Sequence, residues 1–114
     1  MRIFILLIIT IVFAGCTPQQ DTINFQQVLE EAQTRINQGK SLSEDTLLVQ
    51  TLEHYQNMEP RDATKLHQAT ILAAYHYWWK GDKSKAYDLL DSIAETDKNA
   101  LNALFDLGNR DSNF

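Results

Sequence analysis

The chemistry open to this chain depends first on Cys16, the only cysteine in 114 residues. A lone thiol has no disulfide partner in the chain, so it is either buried or covalently modified. Residues 3–13, just before it, include a single polar side chain, and Arg2 supplies a positive charge ahead of them. Because a spanning helix needs about 20 apolar residues, this run is too short for one. The small residues Ala14 and Gly15 follow it, so the pattern predicts a cleaved secretory signal peptide.

The segment Val12-Phe13-Ala14-Gly15-Cys16 resembles the lipobox of bacterial lipoproteins, with Phe13 where that family usually has Leu. In the family the cysteine thiol receives a diacylglyceryl group, the chain is cleaved just before the cysteine, and its new amino group is N-acylated in many bacteria. The resemblance implies a signal peptide over residues 1–15, and a lipidated Cys16 with a short tether over residues 16–22. Two or three acyl chains hold a protein at a membrane without spanning it. Two alternatives stay open, a cysteine buried in an N-terminal core helix and an uncleaved signal anchor.

The residue after the cysteine bears on location. Thr17 is not Asp, which by resemblance to enterobacterial lipoproteins implies the outer membrane, with the protein facing the periplasm. In a Gram-positive host the anchor would lie in the outer leaflet of the plasma membrane. The expected partners are therefore the membrane, through the lipid, and an envelope protein. A net charge of -5 argues against nucleic acid, because binding its backbone needs a basic face.

The remaining residues that could do chemistry form no recognisable site. His67 and His76 are nine positions apart, not the four that place two imidazoles on one helix face, and His54 lies on another predicted helix. The chain has no Gly-x-Ser-x-Gly elbow, phosphate-binding glycine loop or dinucleotide motif. We therefore predict no catalytic residue, no metal site, no cofactor other than the covalent lipid, and no enzymatic activity.

The aromatic run over residues 75–79 is the other unusual feature. At 100° per residue its side chains point around most of a helix, so they cannot all enter one core unless neighbours surround that helix. Tyr75, Trp78 and Trp79 are candidates for a partner surface, since Trp and Tyr offer large contact areas with few rotamers. Packing inside the core is the alternative.

The apolar periodicity predicts an all-α bundle of four to five helices over residues 23–108, followed by a frayed tail over residues 109–114. The expected helices are 23–38, a second from about 41–43 to before Pro60, 60–80, 82–95, and a short one from Asp97 to Gly108. Asn24, Ser41 and Asp82 are predicted caps. The third helix is apolar nearly all round in its second half, so we expect it to be central. The fifth would carry the apolar residues Leu101, Leu104 and Phe105.

Residues 70–98 resemble a tetratricopeptide repeat, a helical hairpin with small residues where its two helices meet. The matching residues are Ala74, Tyr77, Gly81, Ala86 and Leu90. Thr70, Ala73 and Lys98 depart from the family pattern, and no second copy appears one period earlier. The resemblance implies either membership of the family or a repeat-like hairpin within a small bundle.

These features together favour a lipid-anchored helical adaptor of the bacterial envelope, which binds another envelope protein through a helix groove or an aromatic patch. One alternative is a pilotin, a small lipoprotein that escorts secretin subunits to the outer membrane. Another is a structural lipoprotein that binds peptidoglycan through the aromatic residues.

Overall fold

The computed structural model describes residues 23–112, and all regular secondary structure in that part of the chain is α-helical. The five helices are α1 Phe25–Asn37, α2 Leu47–Gln56, α3 Ala63–Lys80, α4 Lys83–Asp91 and α5 Lys98–Ser112. The prediction of a small all-α bundle is therefore confirmed.

The central element is α3, against which the other four helices all pack. Its buried positions nearly encircle it, as predicted. They are Ala69, Thr70, Leu72, Ala73, Ala74, Tyr75, His76 and Trp78. A helix with no continuous polar face has to be covered on all sides. The core accordingly draws side chains from every helix of the bundle.

The most extensive helix packing in the fold joins α3 to α4. Ala74 on α3 and Ala86 on α4 are both fully buried, as is Leu90. Because alanine carries no bulk beyond Cβ, two helix axes can approach closely at such positions. Gly81 ends α3 with a φ of 100°, and Asp82 caps α4 by accepting a backbone hydrogen bond at 3.2 Å. The sequence predicted both the stop and the cap.

The first helix also has the predicted ends. Asn24 Oδ1 accepts a hydrogen bond from the Gln27 amide at 3.1 Å, which caps the start of α1. Gly39 follows the helix with a φ of 74°, a conformation that glycine adopts without strain.

The second helix begins later than predicted. We expected Ser41 to cap it, but α2 starts at Leu47. Leu42 instead turns into the core, where it is fully buried. Its carbonyl accepts hydrogen bonds from His76 Nδ1 at 2.7 Å and from the Asp45 amide at 3.0 Å. Because the Asp45 amide bonds three residues back rather than four, no α-helical turn begins at Ser41.

Two further boundaries differ from the predictions. Pro60 was expected as the first residue of the third helix, but α3 starts at Ala63, because Asp62 Oδ1 accepts a backbone hydrogen bond at 3.1 Å and caps it. The fourth helix ends at Asp91 rather than near residue 95, since the amides of Ile93 and Thr96 bond three residues back, at 3.2 Å, instead of four.

The fifth helix is longer than predicted. Gly108 was expected to end it, but α5 continues to Ser112, so residues 109–112 of the expected frayed tail are helical. The last two residues of that tail lie outside the described part of the chain. The glycines with positive φ in the described residues are Gly39 and Gly81. Gly108 therefore lacks the left-handed conformation that a glycine stop requires.

The inward face of α5 includes two alanines. Of the apolar residues predicted on this helix, Leu101 is 42% and Phe105 64% exposed, and Leu104 is half-buried. The buried side chains of α5 are Ala100, Ala103 and Leu107. Since α5 packs on both α3 and α4, the small alanines allow the closer approach.

Candidate functional site

The predicted aromatic surface of Tyr75, Trp78 and Trp79 is not exposed as a unit. Tyr75 is 7% and Trp78 9% exposed, and Trp79 is half-buried. The second half of α5 holds them: Tyr75 Oη donates to Asp106 Oδ2 at 2.7 Å, and Trp78 Nε1 donates to Asp111 Oδ1 at 3.2 Å. The three rings therefore do not form an open surface. Asp106, which bonds to Tyr75, lies within the predicted helix, and Asp111, which bonds to Trp78, lies in the part of α5 beyond its predicted end.

Asp111 fastens the last turn of α5 to α3 and α4. Besides Trp78, the Lys83 ammonium contacts this carboxylate at 2.7 Å, and the Tyr87 hydroxyl donates a hydrogen bond to it. These hydrogen bonds, that of Lys83 first, hold the pKa of Asp111 below its ordinary value. Burial, followed by the hydrogen bond to Asp111, raises the pKa of Tyr87. The carboxylate therefore joins three helices.

The three histidines lie in separate places. His54 stacks on Phe25 with ring centroids 4.2 Å apart, and His76 is buried against the carbonyl of residue 42. His67 Nδ1 donates to Asp97 Oδ2 at 3.0 Å. Within residues 23–112 no three His, Cys, Asp or Glu side chains are grouped so that they could hold a metal ion.

The predicted lipid attachment site, Cys16, and the rest of the lipobox lie outside the described residues. Among the helices that are described, none has the length and apolar character needed to cross a bilayer.

A groove opens between α1 and α5, because both pack on α3 but, in the described part of the chain, not on each other. Its volume is 680 Å³, within the range of about 300–1,000 Å³ typical of ligand sites. The floor includes His67, Gln68, Ile71 and Tyr75 of α3. The walls include Gln33 and Ile36 of α1 on one side, and Asn99, Asn102 and Asp106 of α5 on the other. We call this feature the α1–α5 groove.

The groove is apolar in part and rich in amides. Ile36 and Ile71 are half-buried and supply its apolar surface. Gln68, Asn99 and Asn102 each present a side-chain amide that has no hydrogen-bond partner among residues 23–112. An amide both donates and accepts. The groove therefore offers apolar contact and hydrogen bonds of both kinds to a ligand.

The charged groups that line the groove are carboxylates, and neither Lys nor Arg lines it. Asp97 Oδ1 accepts a hydrogen bond from the backbone amide of Asn99 at 2.8 Å, which caps α5. Asp97 Oδ2 accepts a hydrogen bond from His67. Asp106 uses Oδ2 for both its bonds, from Tyr75 and from Arg110 Nε at 3.2 Å. Burial, then the hydrogen bond to Asp106, raises the pKa of Tyr75 well above its ordinary value. Among the described residues, Asp106 Oδ1 has no hydrogen-bond partner.

Sequence reasoning missed this groove although a signal for its wall was present. Asn99, Asn102 and Asp106 follow the spacing i, i+3, i+7, which places them on one face of a helix. This polar spacing is informative only if Ala100 and Ala103 are recognised as the buried face next to it. Because the prediction for this helix named only its bulkier apolar residues, the polar face was overlooked.

Comparison with known proteins identifies no relative, since no family model, no curated protein and no solved structure matches this chain.

Proposed function

We propose that this chain is a lipid-anchored helical adaptor of the bacterial envelope, which holds a segment of another envelope protein in the α1–α5 groove. The groove is the observation that carries the proposal. It joins a ligand-sized volume of 680 Å³ to half-buried isoleucines and to amides without partners in the described residues. A chain segment can contribute the apolar side chains and polar backbone groups that such a surface accepts.

The anchor in this proposal is Cys16, on the lipobox resemblance alone. A tether of seven residues, 16–22, reaches at most about 25 Å, so the helical domain would work close to the bilayer. We place it on the outer membrane, facing the periplasm, because of Thr17. The anchor would supply location, and the groove would supply recognition.

The candidate partner surface of Tyr75, Trp78 and Trp79 contributes little support to the proposal. Tyr75 and Trp78 are buried, so a peptidoglycan-binding role through exposed rings has no specific observation behind it. A pilotin would be a special case of the adaptor, with a secretin subunit as its partner.

Site-specific photocrosslinking in cells tests the recognition step. A photoreactive amino acid is placed at Gln68 in the groove or, as the matched control, at Gln50, which is exposed on α2. We expect a discrete adduct with one envelope protein from position 68 only. Mass spectrometry of that adduct identifies the partner, including a secretin. No adduct from position 68, or the same adducts from both positions, would contradict the proposal.

The anchor is tested separately by metabolic labelling with a radioactive fatty acid. We expect label in the wild type and in Thr17→Ser, and none in Cys16→Ser. Mass spectrometry of the wild type should find a chain that starts at a lipidated Cys16. Label that persists in Cys16→Ser, or a wild type that keeps residues 1–15, would contradict lipid anchoring.

A further inference from the structure

We propose that the segment held in the α1–α5 groove is an extended stretch of the partner that carries a lysine or arginine for Asp106. This inference rests on the proposed function, because it describes the occupant of the same groove. It follows from the charge of the lining, from one free carboxylate oxygen, and from the amides along the walls.

Charge is the first step. The groove lining contains Asp97 and Asp106 and neither Lys nor Arg, and the whole chain has 15 acidic against 10 basic residues. A basic segment is therefore attracted by the domain at long range and by the groove at short range. An acidic segment would meet like charge at both stages.

The second step identifies the carboxylate that receives the cation. Both carboxylate oxygens of Asp97 already accept hydrogen bonds, one from the backbone amide of Asn99 and the other from His67. Asp106 has both its bonds on Oδ2, and within residues 23–112 its Oδ1 has none. Its side chain is 43% exposed and lines the groove, so an ammonium or guanidinium from solvent can reach Oδ1.

The third step concerns the shape of the occupant. A helix satisfies its own backbone hydrogen bonds, whereas an extended chain leaves its N–H and C=O groups to be paired. The amides of Gln68 on the floor and of Asn99 and Asn102 on the wall have no partner in the described part of the chain. They can bond to the backbone of an extended segment that passes between them.

The spacing along α5 sets the register of the cation. From Asn99 to Asp106 the helix rises about 10 Å, at roughly 1.5 Å per residue. An extended chain covers that length in about three residues. The basic residue should therefore lie about three positions from the residue whose backbone meets Asn99, with an apolar side chain between them against Ile36 and Ile71.

Peptide binding tests this occupant. An array of short random peptides is probed with the full-length protein in detergent, and the strongest binders are resynthesised for measurement of Kd. We expect them to contain Lys or Arg, and to bind about tenfold more weakly when that residue is replaced by Glu. Versions locked into a helix by a side-chain staple should not bind.

Protein variants locate the interaction. Asp106→Asn keeps an oxygen for Tyr75 but removes the charge, and should weaken the basic peptides about three- to tenfold. Asp91→Asn, the same change at an exposed site on α4, should leave the Kd unchanged. Gln68→Trp, which fills the groove, should abolish binding while the circular dichroism spectrum stays helical.

The outcomes separate this inference from the proposed function. In one set of outcomes peptides bind and Gln68→Trp prevents the binding, but the peptides need no Lys or Arg, bind equally well when stapled, or bind Asp106→Asn as well as the wild type. Such results would contradict the extended basic occupant and would leave the proposed adaptor function intact. If no peptide binds, or if Gln68→Trp binds as well as the wild type, both proposals fail.

Discussion

Replacing His76 by leucine should destabilise the domain by about 1–2 kcal/mol. His76 is 1% exposed, and its Nδ1 donates to the Leu42 carbonyl at 2.7 Å. Leucine fills much of the same volume but cannot donate. Leu42 is itself fully buried, so water cannot replace the lost donor, and the carbonyl keeps only its bond from the Asp45 amide at 3.0 Å. The loss of stability corresponds to one net hydrogen bond and part of the desolvation penalty of the carbonyl. It should therefore exceed the loss from a surface substitution and be smaller than the loss from a buried group left with no hydrogen bond.

Urea denaturation followed by circular dichroism measures this cost, and thermal melting should show a fall in Tm of roughly 5–15 °C for a domain of this size. His54→Leu makes the same chemical change at an exposed residue and should stay within about 0.5 kcal/mol of the wild type. His76→Asn restores a donor near the Nδ1 position at the expense of ring volume. If His76→Leu is as stable as His54→Leu, the bond to residue 42 does not hold the connection between α1 and α2, and our account of the late start of α2 is wrong.

Four further substitutions, with Asp91→Asn as a control, test the packing of α5 and the charges around it. Leu107→Ala should cost about 2–5 kcal/mol and Phe105→Ala within about 0.5, as measured by urea denaturation, and the reverse order would contradict the observed buried face. Because the pKa of Tyr75 is raised in the folded protein, its contribution to the free energy of unfolding is complete below about pH 10. Above that pH the contribution falls by up to about 1.4 kcal/mol per pH unit, until the pH reaches the folded pKa. Tyr75→Phe should remove that part of the alkaline decline in urea titrations at increasing pH, and an identical decline would refute it. Because the pKa of Asp111 is lowered, its contribution is present above its ordinary pKa and lost as pH falls through the folded value. Asp111→Asn should therefore melt at a lower temperature than the wild type at neutral pH and approach it in acid, whereas Asp91→Asn should melt with the wild type throughout.

The sequence predicted those features of the fold that depend on neighbouring residues. Asn24 and Asp82 cap their helices with backbone amides three positions away, and Gly39 and Gly81 adopt the positive φ that other residues avoid. The central place of α3 was also predictable, because a helix apolar nearly all round has few other solutions. None of these inferences needed a distant partner.

Two of the boundaries that were wrong depend on contacts between residues distant in sequence. The second helix starts late because Leu42 bonds to a histidine 34 positions away, and the fifth continues past Gly108 to an aspartate that bonds to Trp78, 33 positions away. Local propensity at Ser41 or Gly108 contains no information about either partner. The sequence left open whether the aromatic residues form a surface or pack in the core, because Asp106 and Asp111, which hold Tyr75 and Trp78, lie 31 and 33 positions away.

The candidate groove was missed because the prediction for the fifth helix named only its large apolar residues. Along α5 three sets of residues are offset by one position, and so by about 100° each. The set with Asn99 and Asp106 lines the groove, the set with Ala100 and Leu107 is buried, and the set with Leu101 faces solvent. Naming only the largest apolar side chains of α5 selects the third set and overlooks the first. Where a helix packs on two neighbours at once, small residues mark the contact better than large ones, and with that rule the sequence itself predicts a polar face on α5 beside its buried one.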